Sequence, residues 1–466
     1  MLKLIIFSLL VLGYILLFFA DRKKALLMLF LIKLPLDQIA WKFSIPIVFT
    51  QLRISEAFTV FITLLLLATF LLDKTRDPDR MGFFKHVPSM LIIPIIIFML
   101  VFFLNIFRGG WWLLSVQQFF KLITGIVVGT YVAKTLKTED EINWLLRCML
   151  FSMAIISVLS IPAIYSGGEL HVYVSLSSED KYVGTSFGGG VGNYYAADSF
   201  SNAFMVYIPA VLFASTMFKS KWEKILCLIV IMFSIVAVFV SAIRAGWLAL
   251  ALVLAIWMLA KRQWKLIAIS AFCIFMIMTL QLFSNPLQKA YQKIAYEADN
   301  LEKGELPLNA FGGRPLSLKT YVGYYMDAPL LDKLTGNDRI LILGSRAIGH
   351  DPHNDFLYIL IRNGIIGLTA ALCLYIVTGV YLFKAIHYTK EIYDWNLVLT
   401  AILAFLCMMI PSLTRTGLMN PNYEWVFWTF TMITLKRYII SKNFLPQSEI
   451  SLNIDENSEN IVSEIT

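Results

Sequence analysis

The chain has 466 residues, a formal net charge of +8, 58% hydrophobic and 15% charged residues, and a mean hydropathy of +0.72. A soluble globular surface needs roughly 25% charged residues, so a soluble enzyme, a disordered chain, a collagen and a disulfide scaffold are all excluded. The composition is that of an integral membrane protein. Its excess Lys and Arg fall in short loops between apolar segments, which fits membrane orientation and implies no nucleic-acid partner.

Apolar segments long enough for spanning helices run over 4–20, 25–40, 54–72, 88–107, 113–133, 142–165, 201–218, 225–242, 244–260, 265–283, 355–383, 395–412 and 423–440. They predict an all-α membrane protein with about 12–13 transmembrane helices over residues 1–440. The first segment is followed by Asp21-Arg22-Lys23-Lys24, with its charge after the apolar core and no small-residue cleavage site, which speaks against a cleavable signal. The second is the weakest, because Lys33, Pro35 and Asp37 interrupt it. The five cysteines (Cys148, Cys227, Cys273, Cys373 and Cys407) sit inside apolar stretches with no C-x-x-C pair. They read as small buried hydrophobes and imply neither disulfides nor zinc.

Segment 166–200 is rich in Gly, Ser and Tyr, including Gly188-Gly189-Gly190-Val191-Gly192. It lacks the G-x-x-x-x-G-K-[ST] pattern of a nucleotide loop. The short loops 219–224, 261–265, 384–390 and 436–442 are basic and alternate with every second segment, so they are expected in the cytoplasm. Segments 166–200 and 284–352 then lie on the external, periplasmic side, where long loops carry function.

The stretch 225–260 holds one charge in 36 residues, Arg244. It is too long for one span and is expected to turn at Ser241–Gly246 on the external side. A charge so placed is costly. Arg244 either snorkels to cap a helix end or faces a cavity and holds an anion, for which the planar guanidinium fork suits phosphate. Further on, segment 284–352 carries Gly312-Gly313-Arg314-Pro315, then Lys319, Tyr321, Tyr324 and Tyr325, then Arg339 and Arg346. Aromatic faces among polar groups suit sugars, although a loop tyrosine is also a packing residue. Arg346, Arg415, Tyr324 and Asn354 are candidates for additional anion or sugar contacts.

The run Gly349-His350-Asp351-Pro352-His353-Asn354-Asp355-Phe356 opens the next span. Asp351 as N-cap and Pro352 at the first helical position predict a helix start there, with His353 in its first turn. Free N–H groups at such a terminus attract anions, and its positive end favours the neutral imidazole that a general base requires. Two other readings stay open: a metal site built from His350, Asp351, His353 and Asp355, and a structural interfacial histidine. No D-x-D lies in the two external segments, and no H-E-x-x-H sequence is present. Residues 441–466 read as an acidic, disordered cytoplasmic tail.

Taken together, Ser241-x-x-Arg244-x-Gly246-Trp247-Leu248 and Pro352-His353-Asn354-x-Phe356-Leu357-x-x-Leu360-x-x-x-Gly364-x-x-Gly367-Leu368, with Gly313-Arg314 between them, resemble the bacterial O-antigen ligase family and the related O-antigen polymerases. The likeness covers roughly 190–370. It implies a GT-C-like helical bundle with a long external loop subdomain, in a multi-pass protein of the bacterial inner membrane whose active site faces the periplasm. It further implies a metal-independent, cofactor-free glycosyltransferase of surface polysaccharide or lipopolysaccharide biosynthesis. Such an enzyme moves a glycan from an undecaprenyl-pyrophosphate donor onto a glycan or a lipid A-core-like acceptor, among membrane lipids. On that likeness Arg244 and Arg314 match the arginines that bind the pyrophosphate, and His353 matches the histidine at the reacting hydroxyl. Ala242-Ile243 separate Ser241 from Arg244, where the family's common form joins Ser directly to Arg, so no role passes to Ser241. A polymerase joining lipid-linked repeat units is the nearest alternative. A non-catalytic polysaccharide or lipid transporter is another, but no internal repeat supports it.

Overall fold

A computed structural model describes residues 2–40, 44–47, 50–76, 87–107, 112–165, 191–240, 244–262, 310–348, 352, 354–389, 391–414, 418 and 421–444. The expected apolar segments are helices: α1 Leu2–Ala20, α2 Arg22–Ala40, α3 Ile54–Arg76, α4 Ser89–Leu104, α5 Trp112–Thr135, α6 Glu139–Tyr165, α7 Val191–Met217, α8 Lys221–Val240 and α9 Arg244–Ala260. After them come α10 Ala310–Met326, α11 Leu330–Thr335, α12 Asp338–Ile348, α13 Asp355–His387, α14 Ile392–Thr414 and α15 Pro421–Phe444. The expected span at 265–283 and the tail beyond Phe444 lie outside the described residues.

Among the described residues, five helices are long and apolar enough to cross a membrane, with windows at Glu56–Asp73, Ser89–Phe107, Glu139–Ile161, Asp355–His387 and Ile392–Leu413. Shorter apolar stretches lie at Phe7–Ala20, Phe204–Met217 and Ala245–Ala260. The chain is an all-α membrane protein with one small departure. Strands β1 Ser44–Ile47 and β2 Thr50–Arg53 form an antiparallel hairpin after α2, Ser44 opposite Arg53. Pro46 cannot continue a helix, and the flanking isoleucines favour extended backbone. A second difference is the start of α7, which begins at Val191 and takes up ten residues read from sequence as loop.

Helices in lipid must satisfy every backbone polar group internally, and several of their hydroxyls bond back to the helix. Thr63, Thr130, Ser234, Thr378 and Ser412 each donate to the carbonyl four residues earlier. The doubtful second span is a continuous helix despite Pro35. Its buried Lys33 pairs with Asp37 one turn on and lies 5.2 Å from the Trp425 ring centroid. The charge is therefore neutralised inside the bundle rather than breaking it.

Most of the described charged pairs lie at one end of the helices; Lys121–Glu56 and Lys33–Asp37 lie toward the other. Asp73 at the end of α3 accepts from Arg22 and from Lys134 of α5, each at 3.0 Å. Arg147 of α6 reaches Glu223 of α8 at 2.7 Å. Arg437 of α15 reaches Asp394 of α14, Lys261 after α9 bonds Asn396 of α14, and Lys436 donates to the Ala133 carbonyl at 2.6 Å. This basic end holds the loops that sequence reading assigned together. The hairpin, the α10–α12 unit, the start of α13 and the end of α14 lie at the other end.

Helix α15 is central, with Trp425, Val426, Phe427, Trp428 and Phe430 all buried. It seats against α5 through Gly125 and Gly129, the small-xxx-small spacing that lets two membrane helices approach closely. A Cβ on Gly129 would lie 2.4 Å from the Trp428 carbonyl oxygen. Gly129→Ala is therefore expected to force α5 from α15 and cost about 1–3 kcal/mol. Gly379→Ala, whose Cβ would meet nothing within 4 Å, should cost nothing. Thermal melts of the two variants in detergent compare them directly.

Candidate functional site

The long helix α13 begins differently from the sequence expectation. Asn354, not Asp351, is its N-cap: Asn354 is extended (φ −156°, ψ 117°) and its Oδ1 accepts from the Leu357 N–H at 3.0 Å. Asn serves as well as Asp at this position, and the capping bond fixes the first helical residue as Asp355. Pro352 thus precedes the helix, and His353 stands immediately before the cap rather than in the first turn. His353, His350 and Asp351 themselves lie outside the described residues.

The second correction lies within the helix. The sequence predicts one continuous span over 355–383, but the backbone breaks at Gly364, with φ 64° and ψ −170°. Gly364 is suited to that left-handed turn, and a Cβ there would lie 2.3 Å from the Leu334 main chain. The carbonyls freed by the break find other donors. Asn337 N–H bonds the Ile361 carbonyl at 2.9 Å, and Asn105 Nδ2 bonds the Arg362 carbonyl at 2.7 Å. The dipeptide Asn363-Gly364 is the signal that sequence reading passed over.

The short helical piece 355–363 is therefore a separate block, held on three sides. Leu357, Tyr358 and Ile361 pack with Tyr321, Tyr325, Ile340 and Leu341 of α10 and α12. The guanidinium of Arg362, only 3% exposed, donates to Tyr358 Oη at 2.9 Å and to Ser115 Oγ of α5 at 2.8 Å. At the N-terminal side Asn354 Nδ2 donates to the Leu413 carbonyl at 3.0 Å, and Asp355 Oδ2 accepts from Leu418 N–H at 2.7 Å. The sequence singles out Asp355 only as a possible metal ligand, and Arg362, inside an apolar run, not at all.

These bonds bring the two residues that follow His353 to the end of α14. Helix α9 packs antiparallel to α14, since Lys261 beyond its last turn bonds Asn396 near the α14 start. Arg244, the first residue of α9, consequently stands at the same end as Leu413 and Asn354. Trp247 Nε1 donates to the Val238 carbonyl at 2.9 Å and closes the α8–α9 turn there. Arg314 lies in α10 and Arg346 in α12, both within the unit packed on the 355–363 block. For these three arginines the structure describes the backbone alone, and Arg415 lies outside the described residues. The tyrosines of α10 divide. Tyr321 is fully buried against Gly344, and Tyr325 donates to the Lys333 carbonyl at 2.6 Å, its phenol pushed up by burial. Tyr324 is exposed.

With this geometry in place, residues 227–372 match the O-antigen ligase family. The chain is similar to O-antigen ligases over that segment. The ligase-like segment runs from within α8 to the middle of α13, so it contains Arg244, Arg314, Arg346 and His353. No curated protein matches the chain. The match and the apolar helices support a multi-pass membrane glycosyltransferase of the O-antigen ligase or polymerase type.

The cap offers a contained test of the local structure. Asn354→Ala loses both the Leu357 capping bond and the Leu413 bond, and is expected to cost about 0.5–2 kcal/mol of stability. Asn354→Asp keeps the capping acceptor and should recover much of the loss in the same thermal melt.

Proposed function

We propose that the protein transfers a glycan from undecaprenyl pyrophosphate to an acceptor at the external face of the inner membrane, with a lipid A-core-like sugar as the acceptor. The observation that carries this reading is the convergence, at the end of the bundle opposite the basic loops, of the residues that follow His353, the first residue of α9 and the α10–α12 unit. The positive-inside rule makes the basic end cytoplasmic and the converging end external.

In this reading Arg244 and Arg314 hold the pyrophosphate, with Arg346 and Arg415 adding positive charge and Tyr324 and Asn354 meeting sugar or phosphate oxygens. Their fixed charge matches the negative charge that grows on the leaving oxygen, the role of a preorganised electrostatic site. No resident metal or cofactor is invoked. His353 takes the proton of the acceptor hydroxyl as that oxygen attacks the anomeric carbon. The bond from that carbon to the pyrophosphate oxygen breaks, and its electron pair leaves with undecaprenyl pyrophosphate. A single displacement inverts the anomeric configuration. The prenyl tail stays in the bilayer throughout.

Purified protein in liposomes, supplied with radiolabelled lipid-linked glycan and two acceptors, tests the assignment. Label on the lipid A-core-like acceptor is the expected result. Label only on a second lipid-linked glycan makes the protein a polymerase, and label on neither overturns the transfer reading.

A further inference from the structure

The α10–α12 unit carries an apolar surface that its own packing leaves uncovered. In α11 the apolar and polar positions are inverted relative to a water-facing helix. Leu330 is 73% and Leu331 62% exposed, and Met326 and Leu334 are exposed beside them. The polar residues of the same turn point inward: Asp332 accepts from Asn337 Nδ2 at 3.0 Å, and both Asp332 and Lys333 are half-buried.

Two independent rulers give the depth of this surface. Below the Gly364 break, residues 365–387 rise about 34 Å, enough by themselves for the ~30 Å hydrocarbon core. Helix α4 has 16 residues and is extended by a three-residue 3-10 turn, Asn105–Phe107; together they rise about 30 Å. The tops of both rulers coincide, because Asn105 bonds the Arg362 carbonyl beside the break. α11 sits at that level, its Leu334 main chain against Gly364. Through Leu334 it adjoins the start of the lower α13 segment, where Ile365 and Ile366 are exposed, at the level of the exposed Phe103, Leu104 and Phe107 around the end of α4.

We infer that α11, with Met326, is a membrane-interface anchor whose exposed side chains insert among the acyl chains of the leaflet at the site end. The occupant is lipid rather than a protein partner, because the patch is continuous with the lipid-facing belt and lies at its edge. Apolar faces of this kind rest at the boundary of headgroups and acyl chains. The anchor holds the α10–α12 unit, and with it the 355–363 block, at the depth where the headgroup of a membrane-bound substrate lies. The inference does not depend on the transfer reaction.

Benzoylphenylalanine placed at Leu331 of the full chain, reconstituted in phosphatidylethanolamine–phosphatidylglycerol liposomes and irradiated, reads the occupant by mass. A lipid adduct at Leu331, with little or none from the same probe at exposed Lys319, about 10 Å along α10 from Met326, is the expected result. An adduct to a second copy or to another segment of the chain would overturn it, as would no adduct at either position. The probe placed at Leu330 repeats the measurement if the first variant does not fold.

Discussion

His353→Ala is expected to lower glycan transfer by about 10²–10⁴-fold, the range that general-base assistance supplies, while donor binding survives. The separation follows from the proposed division of labour, in which the pyrophosphate contacts belong to arginines on other elements, while His353 immediately precedes the Asn354 cap of α13 in sequence. His350→Ala costs far less, since it lies three residues further from the capped terminus. Single-turnover rates with donor saturating, alongside donor binding measured separately, distinguish a lost base from a lost binding group. Equal losses at His350 and His353, together with inhibition by a chelator, would promote the metal reading in place of the base.

Arg244→Ala and Arg314→Ala are each expected to abolish transfer with expression and membrane insertion intact. The pyrophosphate carries its charge into the leaving group, so removing a matched cation raises the barrier as well as weakening binding. Arg244→Lys recovers little, because an ammonium is a point charge and cannot reproduce the planar pair of donors. Arg244 opens α9 next to the bond from Trp247 to the Val238 carbonyl, so its loss leaves the turn closed and the fold in place. Full activity in Arg244→Ala removes it from the site.

The spans were legible because lipid imposes one requirement on every residue, and the segments met it with few charges. Even the doubtful second segment formed a helix, since Lys33 found Asp37 and the Trp425 ring inside the bundle. Partners supplied by tertiary structure are invisible in a local hydropathy pattern. The Gly364 break was hidden for the same reason. Hydropathy runs unbroken through 356–383, and only the donors of Asn105 and Asn337, far away in sequence, make the broken backbone affordable. The shift of the cap from Asp351 to Asn354 was a choice between two competent residues that sequence alone does not decide. Tyr321 and Tyr325 resembled sugar-binding aromatics but are packing residues of the α10–α12 unit, leaving Tyr324 at the surface. The candidate arginines and histidine were legible as oddities in apolar or external stretches. That Asn354 and the first residue of α9 stand at one end emerges from the antiparallel packing of α9 on α14 and the bonds of Asn354 and Asp355 to Leu413 and Leu418.

The central claim is a direct displacement of undecaprenyl pyrophosphate by an acceptor hydroxyl, and its products carry the most direct test. Purified protein is given a lipid-linked glycan of known anomeric configuration and its acceptor, with a chelator present. The new linkage is then read by nuclear magnetic resonance and the released lipid by mass spectrometry. An inverted linkage, with one intact undecaprenyl pyrophosphate released for each bond formed, is the predicted result. A retained configuration, or release of undecaprenyl monophosphate, would contradict the account.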